Sequence, residues 1–227
     1  MNVIVTGASR GIGFELVKQF LNAGHQVFCL TRNITTLQEI KNPNLQVFST
    51  DLSSTESIDL SLIAIKAKVS DIDVIVHNAG SLVNKPFETI AYQDLEKVYK
   101  VNVFAPFYVT QQLVGLLGQK NKSHVVTISS MGGFQGSAKF AGLSAYSSSK
   151  AAVASLTECL AEEFKEKNIA VNCLAIGAVQ TEMLAEAFPG YKAPLSPQQM
   201  AEYIFDFSIK GHVYYNGKIL PVSSSTP

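Results

Sequence analysis

Short apolar runs alternate with amphipathic stretches along the chain. The runs 2–6, 26–31, 45–50, 73–77, 123–129 and 170–175 are rich in β-branched residues and long enough for buried parallel strands. A shorter strand is expected near 217–221. Between them, apolar residues recur at helical spacing over 12–23, 56–68, 92–117, 146–167 and 197–208, with a brief helix around 182–187. In the first of these, Phe14, Val17 and Leu21 share one face. Strands alternating with helices predict right-handed crossovers and a doubly wound α/β architecture, its mainly parallel sheet covered on both sides. Ligands of such sheets sit at the carboxyl ends of the strands, so the residues after each strand carry the candidate chemistry.

The first strand ends in Gly7-Ala8-Ser9-Arg10-Gly11-Ile12-Gly13 and runs into a helix. Strand, glycine-rich turn and helix together present free backbone N–H groups and a positive dipole end to a phosphate. The glycine spacing is Gly-x-x-x-Gly-x-Gly, not the commoner Gly-x-Gly-x-x-Gly. After the second strand stands Thr31-Arg32, with no acidic residue to hold an adenosine ribose. Arg10 and Arg32 can instead clamp a 2′-phosphate, so the expected cofactor is NADP rather than NAD. After the third strand, Asp51-Leu52 offers an acceptor for an adenine amino group, or a cap for the next helix. After the fourth come Asn78-Ala79-Gly80, small enough for a cofactor to lie close to the sheet, with Asn78 alternatively a turn former.

Tyr146 and Lys150 fall at i and i+4 on one helix face. An ammonium there should draw the phenol below its usual pKa of about 10, making a usable general acid/base near neutral pH.

Composition narrows the picture. At 227 residues the chain suits one domain with a large core. Only 16% of residues are charged while 47% are hydrophobic, which predicts apolar surface hidden in a subunit interface as well. A formal net charge of zero argues against nucleic acid or anionic membrane as partner. No apolar run is long enough to span a bilayer, and the chain opens directly on a strand, so a cytoplasmic protein is expected. Cys29, Cys159 and Cys173 show no metal or disulfide spacing and read as reduced core thiols. The four histidines are equally scattered, and no metal site is expected.

Thr6-Gly7-x-x-x-Gly11-Ile12-Gly13, Asn78-Ala79-Gly80, Asn102, Ser130 and Tyr146-x-x-x-Lys150, in that order, resemble the short-chain dehydrogenase/reductase family, in its compact subgroup. The resemblance covers nearly the whole chain. It implies a single Rossmann-type domain over 1–222, built on a seven-stranded sheet, followed by a Ser-rich tail at 223–227. It also implies an Asn-Ser-Tyr-Lys tetrad. Tyr146 would exchange a proton with the substrate oxygen, and Ser130 would hold that oxygen. Lys150 would lower the tyrosine pKa and hold the nicotinamide ribose. Asn102 would sit in a distorted helix that supports a proton relay. Ser129 competes with Ser130, but strand alternation lets only one of them face the site.

The resemblance further implies a homodimer or homotetramer built on faces of the 92–117 and 146–167 helices. Gly177 and Thr181 match the family's cofactor turn after the sixth strand, although Ile176 replaces its usual proline and loosens the turn. Thr181 can equally cap the short helix that follows. The 131–145 loop is glycine-rich and somewhat long, and Lys139 and Phe140 within it either touch substrate or belong to a mobile surface loop. The 182–197 segment, a lid in the family, is short. These features point to an NADP(H)-dependent oxidoreductase working on a carbonyl/alcohol pair. The alternative is a nucleotide-binding sensor or scaffold on the same fold. The glycine spacing disfavours an epimerase or dehydratase.

Overall fold

The computed structural model describes residues 1–224. Seven parallel strands form one sheet in the order β3-β2-β1-β4-β5-β6-β7. The strands are β1 (Asn2–Thr6), β2 (Gln26–Thr31), β3 (Leu45–Ser49), β4 (Val74–His77), β5 (Ser123–Ser130), β6 (Ile169–Ile176) and β7 (Ile219–Val222). Every expected strand is present, and the sheet is Rossmann-like. Ser223 and Ser224 of the expected tail follow β7, and 225–227 lie outside the described residues.

The pleat sorts side chains to two cores. Val3 and Val5 of β1 join Leu16, Val17 and Phe20 of α1 (Gly11–Asn22), and Ala201 and Ile204 of α8 (Pro197–Lys210), on one face. Ile4, between those valines, joins Ile58 and Leu62 of α3 (Thr55–Lys66), and Val109 and Leu113 of α5 (Ala105–Leu113), on the other. Strands buried on both faces need apolar residues at every position, which is why they read as continuous runs. The order reverses between β1 and β4, leaving a crevice at their carboxyl ends.

The expected 92–117 helix is not one helix. It is α4 (Tyr92–Tyr99), a π turn over Lys100–Phe104, α5, and a 3-10 turn at Val114–Leu116. Pro106 supplies the physical reason: it has no N–H for the carbonyl four residues back, that of Asn102, so a regular α-helix cannot run through. A one-turn α2 (Thr35–Gln38) escaped the sequence reading because four residues carry too little periodicity. The helix expected at 146–167 is α6 (Ser144–Glu163), and the brief one is α7 (Glu182–Ala187). Cys29 and Cys173 are buried as expected, but Cys159 is exposed, because its position on α6 turns it away from the sheet. Among the described residues no helix is long and apolar enough to cross a membrane.

Candidate active site

One cleft of about 650 Å³ opens along the carboxyl edge of the sheet. Its floor at one end is the glycine turn. Gly7 has φ 69°, and a Cβ there would lie 2.6 Å from the Cα of Ala79. A Cβ on Gly13 would overlap the Gly7 carbonyl and the Asn78 amide. Asn78 is more than a turn former. Its Nδ2 donates to the carbonyls of Thr6 at 3.1 Å and Gly7 at 2.9 Å, while the Ala79 N–H donates to Thr6 Oγ1 at 3.1 Å. These bonds strap β1 to β4 across the crevice. Among the described residues no side chain caps α1, so none competes for its first-turn N–H groups. A bare backbone turn facing an uncapped helix start fits a pyrophosphate.

Ser9, Arg10, Gly11, Ile12, Arg32, Asp51 and Leu52 line the same end of the cleft. Gly177 and Thr181 also line the cleft, with Thr181 beside Gly11. Gly80 lies toward the other end, where a Cβ would come 3.8 Å from Lys150 Nζ. Arg10 does not stand free, as the 2′-phosphate reading expected. Its guanidinium is drawn to Glu186 of α7 at 2.6 Å, because a carboxylate overhangs the glycine turn. Asp51 does not cap α3; Ser54 does, by accepting from the Ser57 N–H. The Asp51 carboxylate instead accepts from the Ser53 N–H at 2.9 Å and Ser53 Oγ at 2.7 Å, which with the nearby charges of Arg32 and Lys97 holds it below the usual carboxylate range. Thr181 does cap α7, accepting from the Leu184 N–H at 3.2 Å.

At the other end β5 and α6 bring four residues together. Along β5 the alternation turns Ser129 inward, where its hydroxyl donates to the Lys150 carbonyl at 2.7 Å and anchors α6. Ser130 faces the cleft beside the Tyr146 phenol, and its Oγ accepts from the Gly132 N–H at 3.2 Å. One helical turn on, Lys150 is buried with its Nζ 5.8 Å from the Tyr146 ring centre. That Nζ donates to the Ile128 carbonyl at 2.7 Å. Asn102 is buried in the π turn. Its Nδ2 donates to the Ser81 carbonyl and to Ser149 Oγ, both at 2.9 Å, and its Oδ1 accepts from the Ser81 N–H at 2.7 Å. Ser149 Oγ in turn donates to the Tyr146 carbonyl at 2.7 Å. Asn102 therefore reaches α6 through Ser149, a residue that its Ser147-Ser148-Ser149 run did not distinguish.

The expected lowering of the tyrosine pKa is reversed. Burial raises the Tyr146 phenol, and the Ser130 hydroxyl only partly opposes it. Burial also draws Lys150 down to about 8. The lysine's hydrogen bond goes to a backbone carbonyl, so its charge acts on the phenol only from a distance. A phenol held protonated beside a cleft, with a serine hydroxyl and an ammonium near it, can deliver a proton to a bound oxygen.

The profile of short chain dehydrogenases matches residues 1–192. The chain belongs to the short-chain dehydrogenase family of oxidoreductases. Among its relatives in that family, 3-oxoacyl-(acyl-carrier-protein) reductase FabG of Aquifex aeolicus is 30% identical over 237 residues, spanning 97% of this chain and 94% of the relative. In structure, 4-hydroxyisoleucine dehydrogenase complexed with NADH superposes with a TM-score of 0.87 at 26% identity, over 99% of this chain and 97% of that one. A short chain dehydrogenase from Shigella flexneri 2a complexed with NADP has a TM-score of 0.87 at 28% identity, over 97% and 95%. Both forms of the nicotinamide dinucleotide thus occur among the short-chain dehydrogenases that share this architecture.

Proposed function

We propose that this protein interconverts a carbonyl and an alcohol with NADP(H). The Tyr146 phenol carries the reading: it shares the cleft with Ser130, and its ring centre lies 5.8 Å from Lys150 Nζ. When bound, the nicotinamide supplies or accepts the hydride. The chain's own residues do the rest. The Ser130 hydroxyl holds the substrate oxygen. Tyr146 gives its phenolic proton to that oxygen in reduction and takes one back in oxidation. The raised phenol pKa keeps that proton in place near neutral pH, which suits the reducing direction. Lys150 contributes positive charge near the phenol and would hold the nicotinamide ribose. Asn102 stiffens the π turn and supports the relay that reprotonates Tyr146.

The glycine turn takes the pyrophosphate, and Arg10 and Arg32 take a 2′-phosphate. Arginine suits that dianion because its planar fork makes paired hydrogen bonds. The exposed Phe104, at the end of the π turn, and Phe107 of α5 support a homo-oligomer in which this face meets a second copy. The cofactor reading is tested by titrating the protein with NADPH and NADH. We expect NADPH to bind at least tenfold tighter, about 1.4 kcal/mol. Arg32→Ala should weaken NADPH and leave NADH unchanged, and an unchanged NADPH affinity in that variant would refute the assignment.

A further inference from the structure

Three loops enclose the reacting end of the cleft: the one after β4, the one between β5 and α6, and the segment carrying α7. The Lys85 N–H donates to the Gly142 carbonyl at 3.1 Å, and Asn84 Nδ2 donates to the Ala187 carbonyl at 2.9 Å. The feet of the α7 segment are joined by the Gln180 N–H donating to the Leu195 carbonyl at 2.8 Å. Tied together in this way, the loops present Leu82, Met131, Phe140, Leu143, Met183 and Phe188 to the cleft.

Among the described residues, the charges nearby are paired, bound to backbone, or placed toward the glycine turn. Arg10, Arg32, Asp51 and Lys97 stand at the glycine-turn end, and Glu182 lies beside Gly11. Glu186 is turned to Arg10 at 2.6 Å. Lys85 is paired with Asp94 at 2.5 Å. Lys139, which the sequence offered as a substrate contact, is folded back onto the Phe134 carbonyl and Ser137 Oγ, both at 2.7 Å. Lys150 donates to Ile128. Among the described residues, the other polar side chains at this end, Ser81 and Tyr191, are uncharged, and the one cation, Lys150, is bound to the Ile128 carbonyl. A carboxylate or phosphate a few atoms from the reacting oxygen would lose its water without gaining a charged partner.

We infer that the substrate is a neutral carbonyl compound, or the matching alcohol, with an apolar group the size of an aromatic ring beside the reacting carbon. This rests on the carbonyl/alcohol reading above and names its substrate class. Phe140 and Phe188 supply the ring-sized contacts, and their area favours aryl or branched alkyl over methyl.

The test uses a matched pair, methyl 2-oxo-2-phenylacetate and its free acid, which share the reacting ketone and differ in one charge. Binding of each is measured calorimetrically to the protein saturated with NADP+, which cannot reduce a ketone, and turnover is followed separately by NADPH consumption. The ester should bind at least tenfold tighter than the acid. Phe140→Arg, on an exposed loop, should shrink that ratio at least tenfold without changing NADP+ affinity. Equal or tighter binding of the acid overturns the inference, as does binding of neither at millimolar concentration. Preferential binding of the ester without NADPH consumption supports the substrate class while refuting the catalytic reading on which it rests.

Discussion

Arg10 donates to Glu186 through Nη1–Oε1 at 2.6 Å and Nη2–Oε2 at 3.4 Å, joining the glycine turn to α7 across the mouth of the cleft. Both side chains are at least half exposed, so the pair is cheaply exchanged. A 2′-phosphate must take Arg10 from Glu186 before it can use it. Glu186→Gln should therefore tighten NADPH binding about threefold and leave NADH binding unchanged, as read by fluorescence titration. Tighter NADH binding in the variant would mean that Glu186 blocks the cleft rather than competing for Arg10.

Tyr146→Phe removes the proton donor and little else. Turnover should fall by roughly two to four orders of magnitude, the usual contribution of a positioned acid or base. NADPH affinity should survive. Retained turnover would refute the assignment of Tyr146.

Ser129 and Ser130 are neighbours with opposite duties. Ser129→Ala removes a buried bond to the Lys150 carbonyl and should cost about 1–2 kcal/mol of stability. Ser130→Ala should lower kcat and cost less stability than Ser129→Ala, because the bond its Oγ accepts from the Gly132 N–H, at 3.2 Å, is longer and only part-buried. A calorimetric scan and a kinetic assay of both variants separate the two, and the same response from both would contradict the geometry.

Lys150 titrates at about 8, far below an ordinary lysine, because it is buried. Its charge is present below that pH and lost above it. kcat/KM for reduction, which follows the free protein, should decline as pH rises through 8. A flat profile up to pH 10 would show that the ammonium is not required. The same shift acts on stability. Unfolded lysine binds more protons between about 8 and its ordinary pKa, so folding gains stability as pH rises across that window.

Two histidines limit stability in acid. Burial lowers His77 to about 3 and His124 to about 4. The His77 ring meets Thr110 Oγ1 at 2.8 Å, and His124 lies between the Ser208 carbonyl and Asn172. Below pH 6.5 the unfolded chain takes up protons that these folded rings refuse. Stability should fall by about 1.4 kcal/mol per pH unit for each ring as pH drops from 6.5 toward 4. Denaturant titrations across that range check the slope. Replacing His124 by Asn should flatten it.

The strand–helix alternation, the glycine turn and the ordered positions of Asn102, Ser130, Tyr146 and Lys150 were all legible in the chain. Each is a local pattern: β-branched runs make buried strands, and a glycine spacing marks a turn wherever it lies. Strand alternation stated that only one of Ser129 and Ser130 could face the cleft, and packing against α6 chose Ser130. The helix distortion at Asn102 was implied by the resemblance, but its cause at Pro106 and its meaning came with Asn102 reaching Ser81 and Ser149. What only the tertiary structure decided are the partnerships between residues far apart in sequence. Glu186 meets Arg10 because α7 folds back over the first turn, 176 positions away. Lys150 turns to the Ile128 carbonyl because α6 packs on β5, and that burial reverses the direction expected for Tyr146. Spacing along a helix states which side chains share a face; desolvation and long-range charge depend on what covers that face, and nothing local encodes it.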